Sequence, residues 1–353
     1  MLKKESERID WIDCAKGIAI FLVIIGHTLT VHDLVRGLIF SFHMPLFFIF
    51  SGMLMHFSDD IHVWKKKQLR AAYHLLLPAI VVWALRSIIY IVHNYASFDI
   101  QSLISYIKNR IFILFWGSGS VVTVSDKTVE ALGMMWFLIV LFVAKGIYDF
   151  LHLCIRSKFC FTVIAIVLGV MGVALGSVQW LPLSFDLVLV AMLFLLIGQI
   201  MQIYLQAYKK GIINIGLGIF NFVIYLISFV FIYHFTGTYL ELAGRRYPLF
   251  PLCVVTAVAG TMALGGFCLY IRKIPYAGRA LCIVGRHSLA MLCIHMMDYL
   301  AAPVYNCVSS NEFVIAFIRI IIDSVIFAIY FFLKDIKQKI QIMKKLGKEE
   351  GMR

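Results

Sequence analysis

Charge is scarce in this chain. Asp, Glu, Lys and Arg make up 14% of its 353 residues against 62% apolar residues, a balance that excludes folding wholly in water. CxxC pairs are missing as well. The eight cysteines (Cys14, Cys154, Cys160, Cys253, Cys268, Cys282, Cys293 and Cys307) are scattered, most of them in or beside apolar runs. That pattern argues against a metal site or a disulfide frame and leaves them as small core residues. No small-residue cleavage site follows the first apolar run, and Asp13, Lys16 and His27 interrupt it, so it is read as a retained helix and not a signal peptide. There is no internal repeat and no second soluble domain.

What the chain does have is long apolar runs, at about 11–31, 38–57, 71–92, 133–152, 159–178, 185–205, 212–233, 249–271, 281–301 and 312–333. Each approaches the roughly 20 residues that cross a bilayer, and lipid admits only helices or closed barrels. The expected fold class is therefore all-α, a polytopic membrane protein of ten helices forming one domain over 1–333, with a basic tail at 334–353. The formal net charge of +13 would suggest nucleic acid in a soluble protein, but here it follows topology. With the N-terminus inside, 21 of the 32 Lys and Arg fall in the cytoplasm, including Lys3, Lys4, Arg8, Lys209, Lys210 and the Lys-rich tail. Only six fall outside, so both ends are expected to be cytoplasmic, with no nucleic-acid partner. The stretch 93–132 is too long for a turn, and its apolar middle is too short to span; it is expected to be interfacial or re-entrant. Gly172 and Gly176, spaced as GxxxG, predict close helix packing.

Ionisable residues within a membrane helix are costly enough to be functional candidates. The first run holds three. Lys16 and His27 are eleven residues apart, which is three turns and about 20°, so both project from one face about 16 Å apart along the axis. Asp13, one turn earlier, is expected to pair with Lys16. In the second run, SFHMPLFFIFSG, an antiparallel partner brings His43 to about the depth of His27 and Ser51 near Lys16, while Pro45 loosens the helix between them. The bases of KKKQLR, Lys66, Lys67 and Arg70 among them, would suit the phosphates of an anionic cofactor. Each residue also has a plainer reading: snorkelling for Asp13 and Lys16, hydrogen-bonded packing for the histidines, a positive-inside anchor for KKKQLR. Trp136-Phe137 reads as an aromatic belt, and Asp186, Glu241, Arg245, Arg246 and His295 as possible lining of a polar pocket.

Taken together, RIDWIDCAKGIAIFLVIIGH, SFHMPLFFIFSG, KKQLR and, more loosely, MWFLIVLF and LPLSFDLVLVAMLFLLIG resemble blocks of the membrane-bound acyltransferase 3 family, in its fucose 4-O-acetylase-like branch. Lysine stands at 16, 66 and 67 where that pattern has arginine, which weakens forked phosphate recognition to point-charge contact. The resemblance implies O-acylation, usually acetylation, of a cell-envelope carbohydrate from cytoplasmic acetyl-CoA in a bacterial plasma membrane. In that scheme His27, helped by His43, is the general base and Asp13 holds Lys16. Lys16, Ser51, Lys66, Lys67 and Arg70 hold the donor, and no metal is needed. Only a basic tail follows the last run, so the acceptor is expected to be acylated by the membrane domain itself. A transporter of acyl groups or small solutes and a scaffold subunit are the rival expectations.

Overall fold

Backbone groups in lipid must be satisfied within each segment, and in the computed structural model they are satisfied almost entirely by helices. The structure describes residues 9–97, 99–124, 127–203 and 215–350, with side chains through 337. Among the described residues, ten helical stretches are long and apolar enough to cross a membrane, matching both the class and the number expected from the sequence. In chain order the elements are α1 (Asp10–Thr28), α2 (Asp33–Met53), α3 (Ile61–Ala71), α4 (Leu77–His93), α5 (Ile100–Trp116), α6 (Met135–Cys154) and α7 (Lys158–Val178). They continue as α8 (Phe185–Ile200), α9 (Ile215–Thr236), α10 (Leu252–Ile271), α11 (Ala277–Arg286), α12 (Ser288–Met297), α13 (Ala302–Val308) and α14 (Glu312–Glu350). Lys3, Lys4, Arg8, Lys209, Lys210 and most of the tail, on which the expected orientation depends, lie outside the described side chains.

Two stretches differ from the sequence reading in an instructive way. The third crossing begins ten residues before its apolar run, because α3 and α4 join through a π turn at Ala72–Leu76 into one rod from Ile61 to His93. Asp60 starts it, its carboxylate accepting the N–H groups of His62 and Val63, and those bonds, Val63 first, hold the Asp60 carboxyl below its usual range. KKKQLR is thus helix and not loop. The ninth apolar run is broken: α11 and α12 meet at His287, whose backbone leaves the helical region, and a 3-10 turn at Asp298–Ala301 precedes α13. Between the third and fourth crossings, α5 opens with a capping box between Asp99 and Ser102 and closes on Gly117 in the left-handed conformation. Its 17 residues reach only about 25 Å, short of the roughly 30 Å hydrocarbon core. A two-stranded hairpin (β1, Val122–Val124; β2, Lys127–Val129) follows it.

The core is held by helices in backbone contact at glycine. A Cβ on Gly17 would lie 2.1 Å from Leu281 O and one on Gly285 1.7 Å from Asp13 O, so α1 and α11 touch from both sides. Gly52 and Gly198 do the same for α2 and α8, at 2.1 Å from Leu195 O and 2.0 Å from Ile49 O. A Cβ on Gly172 would lie 2.6 Å from Asp186 O, so the GxxxG spacing does serve packing, of α7 on α8. A backbone obstacle cannot rotate away as a side chain can. Gly52→Val and Gly285→Val are each expected to destabilise the bundle by about 2–3 kcal/mol; an unchanged thermal midpoint in detergent would contradict this packing. All eight cysteines are unpaired.

Candidate active site

One face of α1 lines a cavity of about 160 Å³ with Lys16, Ile20, Val23 and His27, the i, i+4, i+7, i+11 stripe that the 3.6-residue period dictates. The facing stripe of α2 supplies Phe40, His43, Phe47 and Ser51. The structure therefore brings Lys16, His27, His43 and Ser51 into one cavity. Trp136 and Phe137 of α6 close another wall. They are buried inside the bundle and are not the interfacial belt expected from the sequence.

The two imidazoles are prepared differently. His43 is buried, and its Nδ1 lies 2.9 Å from the carbonyl of Ile39, one turn back on its own helix. A carbonyl can only accept, so Nδ1 carries the proton and Nε2 is left as a lone pair. His27 turns an exposed ring to the cavity and, among the described residues, has no hydrogen-bond partner. The Phe40 ring packs on both, its centroid 5.6 Å from that of His27 and 4.9 Å from that of His43. Pro45 sits within α2, which continues through it to Met53.

The Lys16 end departs from expectation. Asp13 does not pair with Lys16: its Oδ2 accepts Nε of Arg286 at 3.0 Å, and Arg286 Nη2 donates to Asp10 at 3.0 Å. Among the described residues no carboxylate lies within 4.0 Å of the Lys16 ammonium. The reason is competition: a guanidinium clamped to α1 by the glycine contact at 285 offers a fork, while Lys16 points into the cavity. Asp13 is thus a helix-docking residue outside the cavity wall. The basic cluster is also elsewhere. Lys66 and Arg70 are exposed on α3, and Lys67 donates to His56 O at 2.9 Å, with Asp149 at 4.0 Å. None of the three lines the cavity, although Leu75, about 7 Å further along the rod than Arg70, does.

Of the weaker candidates, Glu241 lines the cavity near its His27 end and is held by Arg36 and Arg246, both at 3.5 Å. Asp186 and Arg245 form a buried pair at 2.8 Å, with Arg245 Nη2 on Ser184 Oγ and its guanidinium 4.1 Å from the Trp180 ring. That pair anchors the loop bearing Glu241 and does not line the cavity. His295 lies just behind the wall, its ring 6.4 Å from that of His27. Asp298, Arg319 and Asp323, which surround it, are not among the residues expected from the sequence, although as charges within apolar runs they carry the same signal as Lys16. A paired cation and imidazole in an intramembrane cavity suit the transfer of a group from an anionic donor to a hydroxyl, and the family comparison agrees. A model of the acyltransferase domain, acyltransferase 3, matches residues 9–333. The chain belongs to that family. It is a multi-pass membrane acyltransferase, and the matched region contains every wall of the cavity. Comparison with curated proteins and with solved structures found no match.

Proposed function

We propose that the chain is an O-acetyltransferase that moves an acetyl group from acetyl-CoA to a hydroxyl of a cell-envelope carbohydrate, as in the fucose 4-O-acetylase-like branch of its family, in a bacterial plasma membrane. The observation that carries the reading is a single cavity with, on one helix face, the Lys16 ammonium and the His27 ring, which has no hydrogen-bond partner among the described residues. The cavity, about 160 Å³, suits the thioester end of the donor and not its nucleotide. The phosphates therefore stay at the Lys16 end, on the cytoplasmic side by the positive-inside bias, near the exposed Lys66 and Arg70.

His27 accepts the proton of the acceptor hydroxyl while that oxygen attacks the thioester carbonyl. The new C–O bond forms, the C–S bond breaks, and the departing thiolate takes the proton back from His27. His43, with Nε2 as a lone pair, supports the base at the same end, and Ser51 offers a hydroxyl along the donor path. Lys16 acts by charge alone, so it governs donor binding more than the chemical step.

The test is labelled-acetyl transfer from acetyl-CoA to envelope glycan in membranes carrying wild type or Lys16→Ala. Wild type should label glycan, and Lys16→Ala should raise the half-saturating acetyl-CoA concentration about tenfold, the value of one charge-assisted contact. If no acceptor becomes labelled while uptake of a solute depends on the protein, the chain is a transporter and the proposal fails.

A further inference from the structure

Behind the cavity wall next to His27 lies a buried ionic cluster with no part in the reaction so far. Nδ1 of His295, on α12, is 2.9 Å from Asp298 Oδ2 and 3.0 Å from Asp323 Oδ2. Arg319 of α14 grips Asp298 with two bonds, Nε to Oδ2 at 2.7 Å and Nη2 to Oδ1 at 2.9 Å, and its Nη1 donates to Thr28 Oγ1 of α1 at 2.8 Å. The side chains of His295 and Asp323 are 0% exposed. Among the described residues, His295 Nε2 and Asp323 Oδ1 have no hydrogen-bond partner.

Charge decides what this cluster is for. With His295 neutral, two carboxylates face one guanidinium, and a net negative charge held away from water is expensive. Arg86 of α4 stands further off, over the Tyr299 ring at 4.6 Å and with no carboxylate within 4.0 Å among the described residues, and Tyr305 lies under Arg319 at 5.6 Å. The donor atoms of His295, Asp298 and Asp323 lie within 4.8 Å of one another, a spacing that could hold a metal ion. Arg319, however, already occupies both oxygens of Asp298, and a divalent ion would carry the cluster past neutrality. The cluster is one positive charge short of neutrality, and the proton that His27 gains beside it supplies that charge. Nδ1 faces two acceptors and so carries a hydrogen, which leaves Nε2 as a buried lone pair. Ring centroids 6.4 Å apart put the His295 ring next to that of His27.

We infer that His295 is a positioning residue for the acyl transfer: its ring stands against that of His27 and holds Asp298 and Asp323 behind it, where the two carboxylates stabilise the positive charge His27 gains. The inference rests on the general-base role proposed for His27. The proton passes from hydroxyl to His27 and on to the departing thiolate; the cluster changes no bond of its own and answers the charge while it is there. The arrangement follows the acid–histidine–base logic of hydrolytic triads, extended by one imidazole.

The experiment compares wild type, Asp323→Asn and His295→Gln in membranes given labelled acetyl-CoA and two acceptors, the endogenous envelope glycan and added hydroxylamine. Hydroxylamine is neutral at neutral pH and attacks without first losing a proton. Transfer to glycan should fall at least about tenfold in both variants, with the half-saturating acetyl-CoA concentration and the hydroxylamine rate each within about twofold of wild type. Equal losses with both acceptors, or a weakened donor affinity, would reduce His295 to structural support and overturn the inference. Unchanged glycan transfer in both variants overturns it too, and leaves the acyltransfer reading standing. Wild-type membranes that label neither acceptor remove that reading and this one with it.

Discussion

Replacing His27 with alanine is expected to lower acetyl transfer to envelope glycan by a factor of about 10² to 10⁴, the range that a general base contributes. The ring is exposed to the cavity with no hydrogen-bond partner among the described residues, so it has no structural bond to lose. His43 is a poor substitute, because its Nδ1 is tied to Ile39 and its ring is packed on Phe40. Donor affinity should hold, since Lys16 lies eleven residues away, about 16 Å along the helix. The check is the initial rate of label transfer at matched expression, with acetyl-CoA varied. A variant that keeps a third or more of the wild-type rate, by about the margin of such assays, would mean that His27 is not the base.

Arg245→Ala should be the most destabilising single change, at about 3–5 kcal/mol. The guanidinium and the Asp186 carboxylate are 1% and 0% exposed, and removing one leaves the other charged and buried. After the truncation Asp186 keeps only the Leu181 N–H at 3.0 Å, Ser184 Oγ loses a donor, and the Trp180 ring loses its cation. The double variant Asp186→Leu with Arg245→Met should recover most of the loss, because it removes both charges and keeps the volume. Thermal unfolding of the four purified forms in detergent gives the coupling. A cost below about 1 kcal/mol for the single variant would place this pair with the weak surface bridges. The loop it anchors carries Glu241 to the cavity, so glycan transfer should fall with stability in Arg245→Ala and return in the double variant.

The helical class, the ten spans and the shared face of Lys16 and His27 follow from periodicity and spacing, which are local properties of the chain. The pairing of Asp13 does not. Its partner Arg286 is 273 residues away, and nothing in WIDCAK says that Gly285 will bring that guanidinium against α1. The basic run at Lys66, Lys67 and Arg70 read as the mouth of the donor site because charge is visible in sequence, whereas the direction in which a helix turns its faces depends on its neighbours.

By itself the sequence determined that this protein lives in lipid, how many times it can cross, and which face of the first helix carries the costly groups, because hydrophobic run length and the helical repeat act over a few turns. Only the tertiary structure decided what those groups meet. Phe40 against both histidines, Arg286 on Asp13, Trp136 in the wall, and the His295–Asp298–Asp323–Arg319 cluster behind His27 all depend on contacts between helices. Ion pairs and cavities belong to such contacts, and the free energy that selects one partner over another appears only when the helices pack.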